Sequence, residues 1–510
     1  VVCLYGKDAG NDKTKAKHHF FIQLLEESGE QIHELASAAG ALKDENTLSA
    51  IQGRLAEVKA RPTDKITIKV GDVFLPDSKD WHSWWDAFRG QLSATGSAVG
   101  KHPSKAKGMR CFASGGLVNP APTHPKISGL MDVGGLSTKD VLLGFDKEAF
   151  QSYGLEQALN AAVSEEAATA YRDALDHIIQ HQSHRLAGAR FAYWFKEDVK
   201  ADDDPLAWLI ELESPEQKER DALVQAKQLM RFISEGRRPD LSGNTYCALT
   251  LSGAAGRVMV RDWMDGPFEE LAGNVAQWFD DLSITGHDGK ALAKSPKFIA
   301  VLGCTVRELN DIPAPFSTQM WKAAVKGDPL PAAALSKTLL RVRSKILTDE
   351  AVYPSAFGLL KACLLRQARR KGEHAVENDL KPYLNPNHPD PAYHCGRLMA
   401  VLASLQKAAL GDVGAGVVQR YYAAASTTPA LVLGRLVRTG QFHLGKLEPG
   451  LAHWFDDQMA AIWSRIKDQI PPTLTLEKQS LFALGYYQQI AQRVKGETDS
   501  SNNEKEAAHE

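Results

Sequence analysis

The 510-residue chain is 44% hydrophobic and 24% charged, with a formal net charge of −2 at pH 7. About 150 residues per domain makes roughly three domains the starting expectation. No uninterrupted apolar run approaches the roughly 18–20 residues that cross a bilayer, and the near-zero net charge gives no global sign of a nucleic-acid binder, although a local basic patch would suffice for one.

Val1–Tyr5 reads as a strand entered midway. It carries neither an initiator methionine nor a signal peptide, so part of the natural N-terminus is expected to be missing. Residues 16–60 show three short helical stripes, the first through Phe20, Phe21, Leu24 and Leu25, the last through Leu48, Ile51, Leu55 and Val58. Lys65–Phe74 alternates as a strand does. Trp81, Trp84, Trp85 and Phe88 then recur at helical spacing. Such a row can stack bases, but docking a short helix onto a core is the plainer reading.

Residues 93–140 are rich in Gly, Pro, Ser and Lys, and a connection this long without regular elements is usually functional or disordered. Lys101, Lys105, Lys107 and Arg110 place four positive charges in ten residues with no acid among them. Small neighbours would let backbone amides approach phosphates; the alternative is a solubilising surface loop. The turn-rich stretch 146–164 supplies Gln151, Ser152, Tyr153, Gln157 and Asn160. These uncharged groups suit base edges or phosphates, and equally serve as caps and turn stabilisers. Ser164 with Glu165 and Glu166 opens a capped helix reaching Ile179. A short strand, Ala189–Phe195, and a helix at 215–234 follow. Asp202, Asp203 and Asp204 lack ligand spacing and read as a solvated helix start.

The stretch 249–284 separates a mixed front from a helical rear. After a turn at Gly253–Gly256, Val258, Val260 and Asp262 share one strand face and Met259, Arg261 and Trp263 the other. Asp265, Gly266 and Pro267 end the strand and start a helix with one apolar stripe, Phe268, Leu271, Val275, Trp278, Phe279 and Leu282. Helical patterns continue at 321–325, 332–347, 354–370, 393–410, 429–439, 451–470 and 476–494. Between Ser336 and Lys371, nine Lys/Arg residues stand against two acids, Asp349 and Glu350. That exceeds what helix dipoles ask for. Arg341, Arg343 and Lys345 on one helix and Arg366, Arg369 and Arg370 on the next form a candidate path for a single strand. NPNHPDP at 385–391 is a rigid break before Ala/Leu-rich helices that suit a bundle.

The expected fold is an α+β front region with irregular basic loops, then a mainly α-helical rear and a C-terminal helical bundle. The regions are 1–250, 251–385 and 391–495, with a frayed tail at 496–510. Six cysteines, Cys3, Cys111, Cys247, Cys304, Cys363 and Cys395, lie far apart without a CxxC pair. They point to a reduced, cytoplasmic chain without a zinc ribbon.

Nucleotide-binding glycine loops, the GxSxG elbow and HExxH do not occur. His18 with His19, His181 with His184, and His394 with Cys395 lack a metal site's acid partners. Asp262 and Asp265 with Asp280 and Asp281 imitate paired carboxylates without a supporting constellation. The residues therefore favour a non-enzymatic chain with no metal and no cofactor; a metal-dependent nuclease on those aspartates stays as the alternative.

Four stretches resemble one known family: CFASGGLVNPAPTHPKISGL at 111–130, LLGFDKEAFQSYGLEQALNAAVSEEAATAYRDALDHII at 142–179, GRVMVRDWMDGPFEELAGNVAQWFDDLSI at 256–284, and AYHCGRLMAVLASLQKAAL onward from 392, continuing to HLGKL at 443–447. Together they are similar to the large subunit of the type I-C CRISPR surveillance complex, Cascade. The resemblance covers most of the chain from about 110. It implies a non-catalytic subunit of an RNA-guided complex that recognises the protospacer-adjacent motif in double-stranded DNA, aids duplex opening and recruits a separate helicase–nuclease. It also implies a C-terminal bundle like the small subunit. The implied partners are target DNA and its displaced strand, CRISPR RNA through the complex, backbone and RNA-processing subunits, small subunits and the helicase–nuclease. On that footing Lys101, Lys105, Lys107 and Arg110 are expected to hold phosphates. Gln151, Ser152, Tyr153 and Asn160 are expected to read or wedge the motif, and the rear arginines to follow the displaced strand. One departure stands out: the family tends to carry Asn and Pro before the central strand, where this chain has SGAAGRV at 252–258. A purely structural scaffold holding RNA or protein is the remaining rival.

Overall fold

The computed structural model describes residues 2–6, 9–61, 64–71, 73–74, 77–94, 108–145, 147–150, 153–210, 221–411 and 413–507, without the side chains of 73, 89–94 and 493–507. Contacts divide the chain into two units, Val1–Lys105 and Ala106–Glu510.

In the first unit, α1 (Asp12–Gly29) starts where the Asn11 side chain accepts from the Lys13 amide. α2 (His33–Lys43) follows, then α3 (Glu45–Glu57), capped by Asp44, whose carboxylate takes both the amide and the hydroxyl of Thr47. Ile22, Leu25, Leu35, Ala39 and Leu42 form the core. Gly29 permits the close α1–α2 approach, since a Cβ there would come within 2.7 Å of the Ala36 nitrogen. The alternating run 65–74 is a minimal hairpin rather than one strand. Gly71, at φ +56°, turns the chain between β1 (Lys69–Val70) and β2 (Val73–Phe74). The opening residues 2–5 are turn and coil, not a strand. On α4 (Lys79–Ala94), Trp81 packs against the core and stacks with Trp84 and Trp85 at 5.5 and 5.7 Å, so for Trp81 the docking reading holds.

The second unit begins with a hairpin of β3 (Met109–Arg110) and β4 (Leu117–Val118), then α5 (Glu165–His181). An antiparallel sheet follows in the order β5 (Ser183–Leu186), β6 (Ala189–Phe195), β7 (Thr245–Ala254), β8 (Arg257–Pro267). α6 (Pro205–Ile210) and α7 (Ala222–Ser234) lie between β6 and β7 in sequence. Ala255 and Gly256, at φ +47° and +91°, make the two-residue turn whose twist suits a hairpin. The two-faced alternation expected for β8 does not hold. The register shifts between Thr250 and Leu251, which pair with Asp262 and Val260 and leave Arg261 as an extra, bulged residue. Met259 and Val260, just before the bulge, are both exposed. Pro267 ends the strand and stands at the N-cap position, directly before the first turn of α8 (Phe268–Leu282). One sheet face, with Phe191, Tyr246, Ala248 and Met264, joins the main core, while Leu249, Leu251 and Val258 pack with Ile127, Leu130 and Ile179 on the other.

The rear is helical: α9 (Phe298–Gly303), α10 (Ala314–Val325), α11 (Ala332–Leu347), α12 (Pro354–Lys371), α13 (His374–Asp379), α14 (Pro391–Leu410), α15 (Val417–Ala425), α16 (Pro429–Leu444), α17 (Pro449–Trp463) and α18 (Leu476–Ala507). Proline opens α12, α14, α16 and α17, where its missing N–H costs nothing. α14 is the bundle's central helix, with Ala392 through Leu402 buried. Its crossing with α18 rests on two glycines: a Cβ on Gly396 would sit 1.9 Å from the Phe482 carbonyl oxygen, and one on Gly485 would sit 2.1 Å from that of Tyr393. A single hydrophobic core runs from Leu186 in the sheet through α8 and α12 to Tyr487 in the bundle. The architecture is thus a mixed α+β front with small sheets and loops, followed by a largely helical rear that includes a bundle. Among the described residues no helix is long and apolar enough to cross a membrane.

Candidate nucleic-acid interface

Two loops of the front are stitched together by backbone hydrogen bonds. Phe112 donates to Ala162 (2.9 Å), Ala121 to Val163 (2.9 Å) and Ala158 to Pro122 (3.1 Å). The β3–β4 loop closes on itself through Cys111 to Gly116 (2.8 Å) and Gly115 to Cys111 (2.9 Å). Cys111 is buried with Val163 and Ala168. Hydrogen bonds, first from the Ser114 hydroxyl and then from its amide, pull the Cys111 thiol down to about 7. The anchored loop turns Phe112 and Leu117 outward, each 76% exposed. Neither was singled out from the sequence, although two apolar residues flanking Gly115–Gly116 in a hairpin loop are a readable signal. Arg110, also exposed, begins this loop. Lys101, Lys105 and Lys107 lie outside the described residues.

Across the stitch, Tyr153, Gly154 and Gln157 all have positive φ, +51°, +73° and +50°. A left-handed backbone costs an ordinary side chain about 1–2 kcal/mol. Nothing in the fold offsets that cost through burial, because the Tyr153 side chain is wholly exposed. A strained turn that holds an aromatic ring in water is the kind of feature that points to a binding role. Asn160 is occupied instead: its amide donates to the carbonyls of Leu155 (2.9 Å) and Gln157 (3.1 Å) and closes the turn. Gln151 and Ser152 lie outside the described residues.

The basic helices divide into two groups. Arg366 and Arg369 grip the fully buried Asp281 of α8 at 2.8 and 2.6 Å. Arg366 also donates to the carbonyls of Ala323 and Asp328, and Arg369 to Glu377. Lys361 is buried beside them; burial pushes its ammonium down to about 8, against the opposing pull of Asp281 and Asp280. Lys345 donates to the Ala351 carbonyl and lies over the Tyr353 ring at 5.1 Å. Arg341 and Arg343, half-buried, and exposed Arg370 form no ion pair among the described residues. Three of the nine positive residues counted in the sequence, Lys361, Arg366 and Arg369, therefore serve the core.

The four aspartates of the nuclease alternative are each engaged. Asp262 pairs with Lys322 (3.2 Å), Asp265 accepts from the Trp263 indole (3.1 Å), Asp280 pairs with Lys227 (2.5 Å), and Asp281 holds the two arginines. Among the described residues no group of three or more His, Cys, Asp or Glu is placed to hold a metal ion.

Comparison with models of known families matches residues 8–494 to the one described as CRISPR-associated protein (Cas_Csd1). No curated protein matches the chain.

Proposed function

The chain belongs to the Cas_Csd1 family of CRISPR-associated proteins, and from that membership we propose that it is the large, non-catalytic subunit of an RNA-guided DNA surveillance complex. In this reading it recognises the protospacer-adjacent motif, helps open the duplex and recruits a separate helicase–nuclease. What supports it is the stitched pair of front loops, one carrying the exposed Phe112 two residues after Arg110 and the other the exposed Tyr153. Rings can wedge or stack on a base at an opened step. Arg110, with Lys101, Lys105 and Lys107 just before it in sequence, supplies phosphate contacts. Arg341, Arg343 and Arg370, which have no ion pair among the described residues, are the better candidates for a displaced-strand path, with Arg366 and Arg369 holding the helices that carry them. The partners are duplex target DNA, its displaced strand, CRISPR RNA through the complex, the backbone, RNA-processing and small subunits, and the helicase–nuclease. The regions 1–250, 251–385 and 391–495 would then inspect the duplex, carry the path of the displaced strand, and form the bundle that lines the complex along the target DNA. Because each aspartate has its own partner, the nuclease alternative gains no support from their placement.

The test compares motif-bearing and motif-scrambled duplexes, using complexes assembled with and without this chain. Preference for the motif should require the chain, and the purified complex should bind without cutting. Equal affinity for both duplexes, or magnesium-dependent cleavage by the chain alone, would remove this reading.

A further inference from the structure

α11 buries Leu335, Leu339, Val342 and Ile346 in the main core. Its flank carries Lys337, Arg341 and Lys345 at four-residue intervals, one above the other and about 6 Å apart along the axis. None of the three forms an ion pair among the described residues, although the turn after the helix holds Asp349 and Glu350. The Glu350 carboxylate accepts instead from the Thr348 hydroxyl at 2.9 Å. A strand laid along this row would meet the cations in turn and then reach Tyr353.

Tyr353 is held in place without being covered. Val352 before it packs against the core, and Ala356 and Phe357 after it are buried, so the backbone is anchored on both sides. The Tyr353 side chain is nevertheless 66% exposed. The Lys345 ammonium lies 5.1 Å from the ring centroid and is itself fixed by donating to the Ala351 carbonyl at 3.1 Å. Burial therefore does not account for the ring's position, whereas attraction between the ammonium and the ring face orients it. Aromatic rings set among positive charges suit single strands, because every base has a face to stack while the cations follow the backbone. A ring ordered before its ligand arrives also loses less freedom on binding.

We propose that Tyr353 is a stacking platform for an unpaired nucleobase, oriented by Lys345, with Lys337 and Arg341 holding the adjoining phosphates. This rests on the displaced-strand path proposed above and adds to it a group that contacts bases.

Anisotropy of the full chain with two labelled single strands of equal length, one of thymidines and one of abasic sites, tests it. Tyr353→Ala should bind the thymidine strand roughly tenfold more weakly and the abasic strand within about twofold of wild type, with an unchanged salt slope. Tyr353→Phe, which keeps the ring, should bind both strands as wild type does. Arg341→Ala should weaken both strands alike and make the salt slope shallower by about 0.7, one phosphate contact on a single strand. That loss in Arg341→Ala beside unchanged thymidine binding in Tyr353→Ala overturns the platform and leaves the path standing. Equal weakening of both strands in Tyr353→Ala also overturns it, because the ring would then act only through Lys345 or the fold. No binding by wild type, or none of these changes in either variant, overturns the path and the platform together.

Discussion

Asp281 shows how a residue's role is set by its surroundings. In sequence it belongs to an acidic pair at a helix end; in the fold it is wholly buried and holds Arg366 and Arg369. Removing one partner of a buried ion pair leaves the other uncompensated. Asp281→Asn should therefore cost about 3–5 kcal/mol in denaturant unfolding; a loss below about 1 kcal/mol would mean the pair contributes little. Lys361 gives the pH counterpart. Its folded value, about 8, lies below the ordinary 10.5, so between those values the unfolded chain binds more protons and stability rises with pH. Wild type should gain stability from about pH 8 to 10.5 relative to Lys361→Met, and parallel curves would contradict this. The groups acting on Lys361 are Asp281 and Asp280 in its favour and Arg369 and Lys227 against it. Which arginines turn inward was not legible in the sequence. Arg366 and Arg369 share a helix face by their spacing of three, but their acid lies more than eighty residues earlier, and only tertiary packing says that this face is the covered one.

At the level of elements, long periodic helices were the most legible. α11 has the bounds its apolar spacing gives, and α12 and α14 differ by no more than two residues at either end. Short α9, α13 and α15 were missed because six to nine residues hold too few turns for a period to show. The helix expected over 451–470 stops at Trp463. The run 65–74 failed as a strand because Gly71 turns it, and β8 lost its alternation to the Arg261 bulge, a feature of pairing rather than composition. Of the site, the Ser-Tyr-Gly turn was legible as polar and turn-forming, whereas the occupation of Asn160 by its own turn was not. Glycines separate the two demands on a helix. Gly396→Ala or Gly485→Ala should each cost at least 1–3 kcal/mol by forcing α14 and α18 apart. Gly434→Ala, in α16 with nothing within 4 Å, should instead gain up to about 1 kcal/mol in propensity. Thermal unfolding of the three variants distinguishes them, and a shared sign would show that the crossing is looser than drawn.

For the second unit as a whole, the continuous core makes the central helices and the bundle one cooperative body. Phe357 of α12 stacks on Tyr487 of α18 at 4.1 Å, and the Tyr487 hydroxyl donates to the Thr285 carbonyl at 2.7 Å. Phe357→Ala should cost about 3–5 kcal/mol. Native-state hydrogen exchange should then show protection in α8 and α14 falling together; loss in one alone would divide the unit. Such a body is a stiff support, while the features proposed to meet DNA sit on front loops, where a fully exposed Tyr153 is held on a left-handed turn. The central claim is that these loops inspect duplex DNA. Its most direct test is the ratio of affinities for motif-bearing and motif-scrambled duplexes, measured for complexes carrying wild type, Tyr153→Phe or Tyr153→Ala. The expected result is a ratio kept by Phe and reduced about tenfold or more by Ala, given stacking of about 1–3 kcal/mol per base; an unchanged ratio in Tyr153→Ala would contradict the claim.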